Sequence, residues 1–137
     1  MARSQRRAET AARRLILDSG AVIAWSRGDA RVRALLTRAV ELGRDIRIPV
    51  AVLAETLRGG PRDAPIHRVR NAVDVFPTVE ATSRLAGALL GQTGGTNTVD
   101  ALVAAEALMA GGDVLPTDPD DLRALLGDRR SGAVIAL

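Results

Sequence analysis

Short apolar runs alternate with longer helical stretches along almost the whole chain. The predicted strands, which are mostly apolar, lie at residues 15–17, 46–48, 75–76, 113–116 and 133–136. The helical stretches lie at residues 21–25, 30–43, from 49 onward, 66–73, 78–90, 99–110 and 119–126. Runs this short and apolar are typical of parallel strands that are buried on both faces. The alternation therefore predicts an α/β fold with a mostly parallel sheet and helices on both of its faces.

Local signals predict how three of these segments begin or end. Asp29 precedes an amphipathic stretch and is expected to cap its first turn. Pro49 is expected in the first turn of the following helix, because proline is favoured there. The glycine-rich residues 91–97 predict a flexible loop; they lack the lysine of a phosphate-binding loop and follow no strand.

The composition excludes several classes of protein. At 137 residues and 47% hydrophobic content, we expect one compact domain. The chain has no cysteine and one histidine, which excludes a disulfide framework, thiolate zinc sites and a cysteine nucleophile, and fits the cytoplasm. The basic amino terminus leads into no apolar signal core, and no run approaches the roughly 18 apolar residues of a membrane span, so no membrane partner is expected.

All 19 basic residues are arginines, so the sequence pI is about 11.1 although the formal net charge is only +3. Lysine-based chemistry is therefore excluded. Arginine suits phosphate recognition, but a GC-rich genome would give the same bias. The group Arg58, Arg62, Arg68 and Arg70 is accordingly interpreted either as an RNA-facing rim or as a solvated helix face. Only two aromatic residues occur, too few for stacked-base RNA platforms.

Four acidic residues stand where strands give way to helices. Asp18 and Asp118 each follow an apolar run, Glu55 follows the wholly apolar residues 49–54, and Asp100 begins a helical stretch. Open parallel sheets bind ligands outside the carboxyl ends of their strands. Each acid also has a structural alternative: a turn or cap for Asp18 and Asp118, and a first-turn acid after Asn97 for Asp100. The alternative for Glu55 is a position beside Arg58 where the helix emerges.

Convergence of the four acids is the more economical interpretation. Carboxylates held together repel one another at neutral pH unless a divalent cation with a preference for oxygen ligands, Mg²⁺ or Mn²⁺, neutralises them. One or two such ions lower the pKa of a bound water and stabilise a leaving oxygen. The acids therefore predict metal-dependent phosphodiester hydrolysis that needs no histidine or lysine.

Four motifs in order resemble the PIN-domain nucleases, and most of all the VapC-type toxins of bacterial toxin–antitoxin pairs. The motifs are Leu-Ile-Leu-Asp-Ser at 15–19, Pro-Val-Ala-Val-Leu-Ala-Glu at 49–55, Val-Asp-Ala-Leu-Val-Ala-Ala at 99–105 and Thr-Asp-Pro-Asp-Asp-Leu at 117–122. The resemblance implies a three-layer α/β/α sandwich and a nuclease domain over residues 15–137, preceded by an arginine-rich extension at 1–14. Pro116 departs from the family, which usually has a threonine there.

The resemblance also implies an activity, a site and partners. The activity is Mg²⁺- or Mn²⁺-dependent endonucleolytic cleavage of RNA, with tRNA, rRNA or mRNA as the substrate. Asp18, Glu55, Asp100 and Asp118 match the metal-holding acids, Ser19 a small hydroxyl position, and Asp121 a further acid of some members. A cognate antitoxin and a homodimer are implied as partners. The alternative is a non-catalytic RNA-binding or scaffolding PIN-like domain, which would gain little from acids beside phosphates.

Overall fold

The computed structural model describes residues 14–115 and 119–127. Its four strands are β1 (Leu15–Leu17), β2 (Ile46–Pro49), β3 (Asp74–Phe76) and β4 (Asp113–Leu115). They form one parallel sheet in the order β3-β2-β1-β4. In the central strand, Leu15 pairs with Ile46 on one side and with Asp113 on the other. All three side chains of β1 are buried, which explains why this run is uniformly apolar.

Seven α-helices and one 3₁₀ turn accompany these strands in the described ranges, and the last helix follows β4. The helices are α1 (Ser19–Ser26), α2 (Ala30–Glu41), α3 (Val50–Thr56), α4 (Ala64–Ala72), α5 (Glu80–Thr93), α6 (Thr98–Ala110) and α7 (Pro119–Leu126), and the 3₁₀ turn is Pro61–Asp63. None of these helices is long and apolar enough to cross a bilayer.

The strand order places the helices in two layers. The chain steps from β1 to β2 to β3 in one direction and then returns to the far side of β1 for β4. Right-handed crossovers therefore put α1 to α4 on one face of the sheet and the pair α5–α6 on the other. The contacts agree, since α1 packs against α2, α3 and α4, whereas α6 packs against α5 and α7. The predicted three-layer sandwich with a parallel sheet is confirmed.

Helix α2 shows how local sequence produces these elements. Val32, Leu36 and Ala39 recur at helical spacing and are its buried residues. The carboxylate of Asp29 accepts the backbone N–H of Val32 at 3.0 Å, so the predicted cap is present. The chain leaves the helix through Gly43, whose φ of 71° a side chain would disfavour.

Two predicted boundaries are wrong. Pro49 ends β2, with φ −60° and ψ 134°, and α3 begins one residue later at Val50. Helix α5 continues through Gly91 to Thr93 and ends at Gly94, which has a φ of 69°, so most of the predicted 91–97 loop is helical or caps the helix. The strand predicted at 133–136 and the residue Pro116 lie outside the described residues.

Ion pairs and a close backbone contact join the amino ends of the strands. Arg44 pairs with Asp113 at the start of β4, and Asp45 pairs with Arg47 at 2.6 Å between Nε and Oδ2. At Gly112 a Cβ atom would lie 2.9 Å from the carbonyl oxygen of Arg14. The edge opposite the predicted site is thus closed by charge pairs and tight backbone packing.

Candidate active site

Asp18 occupies the crevice between the carboxyl ends of β1 and β4. It follows the last residue of β1, and its backbone N–H donates to the carbonyl oxygen of Leu115 at 3.4 Å. Strand order reverses between these two strands, and such a switch point is where open parallel sheets bind ligands. Asp18 as a residue is 8% exposed, and the Oδ1 of its carboxylate accepts the N–H of Ala21 at 2.8 Å, which caps α1. A carboxylate has two oxygens and several lone pairs, so capping is compatible with metal binding.

Glu55 is joined to this crevice through a hydrogen bond from the neighbouring serine. The hydroxyl of Ser19 donates to Oε1 of Glu55 at 2.6 Å, in a partly buried contact that links α1 to α3. Hydrogen bonds from hydroxyls to carboxylates have this short length. The bond brings together residues that are 36 positions apart in the sequence. It therefore places the first and second acidic motifs side by side.

Arg58 does not pair with the carboxylate of Glu55. Its Nη1 instead donates to the carbonyl oxygens of Ala54 at 3.2 Å and Leu57 at 2.9 Å, at the carboxyl end of α3. The guanidinium of Arg58 thus interacts with the carbonyl groups at the end of that helix. The carboxylate of Glu55 remains directed to Ser19.

Asp100 lies in the first turn of α6, which contacts α3. Its N–H donates to Oδ1 of Asn97 at 2.9 Å, so the asparagine cap offered by the sequence is present. The side chain is half-buried and lines a cavity of about 240 Å³ together with Thr93, Thr96 and Leu125. A carboxylate in this first turn is favoured by the helix dipole whether or not it also binds a cation.

The donor set fits a hard cation by its chemistry. The candidate ligands are carboxylates, and oxygen atoms are the ligands that Mg²⁺ and Mn²⁺ prefer. Within residues 14–115 and 119–127, no group of three or more acidic or histidine side chains is gathered closely enough to hold an ion. Asp118 lies outside the described residues, and Asp121 falls in α7 without a described side chain. Of the candidate ligands, Asp18 and Glu55 are the two that the structure links, because Ser19, next to Asp18 in the sequence, donates to Glu55.

Asp63 is a buried acid that the sequence analysis missed. Its carboxylate accepts the backbone N–H of Arg58 at 2.9 Å and that of Gly59 at 2.7 Å. These hydrogen bonds hold the pKa of Asp63 below its usual range, because they favour the charged form. Asp63 therefore shapes the loop after α3. An aspartate shortly after a Gly-Gly-Pro turn is the sequence signal that would have indicated it.

Glu106 is a second buried acid without a sequence prediction. It lies on α6 and is 8% exposed, next to the hydroxyl of Thr82 on α5. Burial raises the pKa of Glu106, and the Thr82 hydrogen bond partly opposes that rise. The α5–α6 interface thus contains an acid in an otherwise apolar layer.

Comparisons with known proteins agree with this architecture. The family model described as PIN domain matches residues 15–125. A solved chain of VapBC2 from Rickettsia felis, bound to a DNA fragment from the promoter, superposes with a TM-score of 0.70 at 14% sequence identity. The match covers 88% of this chain and 96% of that chain. No curated protein matches the chain in sequence.

Proposed function

Because this chain belongs to the PIN-domain family, whose members are in general nucleases that use divalent metals, we propose that it is a Mg²⁺- or Mn²⁺-dependent endoribonuclease. One observation carries the proposal: the 2.6 Å hydrogen bond from Ser19 to Glu55 beside Asp18. Asp18 already caps α1, so the Ser19 hydroxyl is not needed for capping and instead orients a carboxylate 36 positions away. The bond is what a site requires if two acids must face the same cation.

The proposed metal ligands are Asp18, Glu55, Asp100 and Asp118, with Asp121 as a further candidate. Bound Mg²⁺ or Mn²⁺ would supply an activated water and stabilise the leaving oxygen of the phosphodiester. Asp18 is held by its burial and by the hydrogen bond that the Ala21 N–H donates to its Oδ1, so its orientation is fixed before any ligand arrives. Such rigid placement of acidic side chains is what makes a metal site selective and efficient.

We further propose that the chain is the toxin of a toxin–antitoxin pair. The family match and the shared fold with the Rickettsia felis VapBC2 chain support a cognate antitoxin as its partner. RNA is the proposed substrate, with tRNA, rRNA and mRNA as the classes to test. The proposed assembly of the chain is a homodimer.

The test compares two aspartate-to-asparagine variants that differ only in their distance from the site. Asp18→Asn keeps an N-cap acceptor for Ala21 but removes the charge. Asp29→Asn makes the same change at the cap of α2 and is the matched control. Purified chain is incubated with mixed structured RNAs in Mn²⁺, Mg²⁺ or EDTA, and cleavage ends are mapped. In parallel, Mn²⁺ affinity is measured by calorimetry without RNA.

We expect metal-dependent cleavage with 5′-phosphate ends in the native chain and in Asp29→Asn. Asp18→Asn is expected to lose at least about 100-fold in rate and to weaken Mn²⁺ binding, since single groups of this kind are worth several kcal/mol in catalysis. Folded native chain that binds RNA but cuts none of the RNA classes in either metal would contradict the proposal. That result would favour the non-catalytic RNA-binding alternative.

A further inference from the structure

The described arginines fall into two groups according to their partners. One group forms ion pairs with acids: Arg14, Arg38, Arg44, Arg47, Arg84 and Arg123. The other group has no carboxylate partner among the residues that the structure describes: Arg27, Arg31, Arg33, Arg58, Arg62, Arg68 and Arg70. The second group comes entirely from two stretches, residues 27–33 and 58–70. Among the residues that the structure describes, arginines without an acidic partner are therefore concentrated in these two stretches.

These two stretches adjoin in space, because α1 packs against α4. A cavity of about 350 Å³ is lined by Glu55 together with Arg27, Arg58 and Arg62. A second cavity of about 410 Å³ is lined by Trp25, Arg27, Arg33 and Arg68. The two share Ser26, Arg27 and Pro65, so they are parts of one concave surface. We call the surface formed by Arg27, Arg33, Arg58, Arg62 and Arg68 the arginine groove; it runs from Glu55 to Trp25.

The acids near the arginine groove are already engaged elsewhere. Asp63 accepts backbone N–H groups of the loop after α3, Asp29 caps α2, and Glu55 accepts the Ser19 hydroxyl. Elsewhere in the described ranges, exposed arginines on helices pair with an acid one turn away, as Arg84 does with Glu80 at 2.9 Å. The groove lacks such pairs, and its like charges repel one another. A merely solvated helix face would be more stable with interspersed acids.

We propose that the arginine groove binds the phosphate backbone of the RNA strand that extends from the acid site. Guanidinium groups match phosphate oxygens in charge and geometry, and they stay charged across the accessible pH range. The groove begins at Glu55, so an RNA strand placed at the acids would continue directly onto it. This inference rests on the proposed nuclease function and assigns the surface that holds its substrate.

The test measures RNA affinity against salt concentration in EDTA, so that no cleavage occurs. Trp25, the sole tryptophan, lines the groove, and its fluorescence reports occupancy by a short unstructured RNA. The test variant is Arg27→Gln with Arg68→Gln. The matched control is Arg38→Gln with Arg84→Gln, which removes the same net charge from arginines paired with Glu41 and Glu80, outside the groove.

We expect the test variant to lower the slope of log affinity against log salt by about 1.4, since each phosphate contact to single-stranded RNA contributes about 0.7. If the native chain and the test variant bind RNA equally near 1 M salt, this slope difference of about 1.4 corresponds to an affinity about 25-fold lower for the variant at 0.1 M salt. With Mn²⁺ present, KM should rise in the test variant while kcat stays within about twofold. The control should match the native chain in slope and KM.

Four outcomes would overturn the inference. Equal slopes for the test variant and the control would show that the groove makes no specific phosphate contact. If the native chain cuts RNA and the test variant keeps both its KM and its slope, the groove fails while the nuclease proposal stands. If the test variant instead loses binding to a partner protein with RNA binding unchanged, the groove is a protein interface. A native chain that neither binds nor cuts RNA would refute the groove and the proposed function together.

Discussion

Removing the Ser19 hydroxyl tests whether the link between the first two acidic motifs is functional. In Ser19→Ala, Glu55 loses a 2.6 Å donor in a partly buried setting. Hydrogen bonds to charged groups contribute about 1.5–3 kcal/mol, and partial exposure favours the lower end. We therefore expect the free energy of unfolding to fall by about 1.5 kcal/mol, less a few tenths because alanine is a good helix former at this first helical position.

The same loss should appear in catalysis if Glu55 must be oriented to act. About 1.4 kcal/mol corresponds to a tenfold change in rate, so kcat/KM in Mn²⁺ should fall about tenfold. Urea unfolding gives the stability, and cleavage of a defined RNA at 25 °C gives the rate. Ser19→Thr keeps the hydroxyl and should restore most of both quantities. Ser83→Ala, an exposed serine on α5, is the control: it should gain the same few tenths of a kcal/mol from helix propensity and leave kcat/KM unchanged.

Two results would refute this reasoning in different ways. If Ser19→Ala unfolds at the native urea concentration and cuts at the native rate, the hydrogen bond does not hold Glu55 in place. If stability falls as expected but kcat/KM is unchanged, the bond is structural and Glu55 is not a functional ligand.

The remaining predictions concern packing and pH. Gly112→Ala should destabilise the chain by about 1–3 kcal/mol in urea unfolding, because its Cβ would lie 2.9 Å from the Arg14 carbonyl oxygen. The control Gly87→Ala in α5 meets open space and should stabilise the chain by about 0.5–1 kcal/mol. A Gly112→Ala variant with native stability would contradict the tight contact. Burial raises the pKa of Glu106 above 4.5, so the folded state holds its proton more tightly and stability is lost as pH rises from 4.5 through the raised pKa. Glu106→Gln should flatten that part of the stability profile, and an unchanged profile would show that Glu106 ionises freely in the fold.

The layered fold was predictable from sequence because its strongest signals are local. The run at 15–17 is apolar at every position, as a central parallel strand must be, and Asp29 precedes its helix with a capping side chain. The end of α5 was not predictable in the same way. Gly91 costs a helix only about 1 kcal/mol, so α5 continues past it and ends at Gly94, whose φ of 69° glycine tolerates. Three glycines lie within residues 91–95, and residue type alone does not say which of them ends the helix.

The candidate site was predictable only in its residue types. Strand-end position and apolar flanks singled out Asp18 and Glu55, and resemblance singled out Ser19. The hydrogen bond from Ser19 to Glu55 depends on how α1 packs against α3. The spacing of residues in the sequence does not predict that packing. Asp63 was missed for a different reason. Its partners are main-chain N–H groups, and these are present in almost every residue type, so the sequence does not identify them.

The register of β1 has a consequence for synthesis of the chain on the ribosome. Leu15 pairs with Ile46 on one side and with Asp113 on the other, so β1 gains its second neighbouring strand only after almost the whole described chain has been made. Until then the crevice beside Asp18 has only one wall, because its other wall is the end of β4. If the chain has the proposed nuclease function, the nascent chain would lack the second wall of the proposed site through most of its translation. An inhibitor would then have that interval in which to meet the chain before the crevice closes.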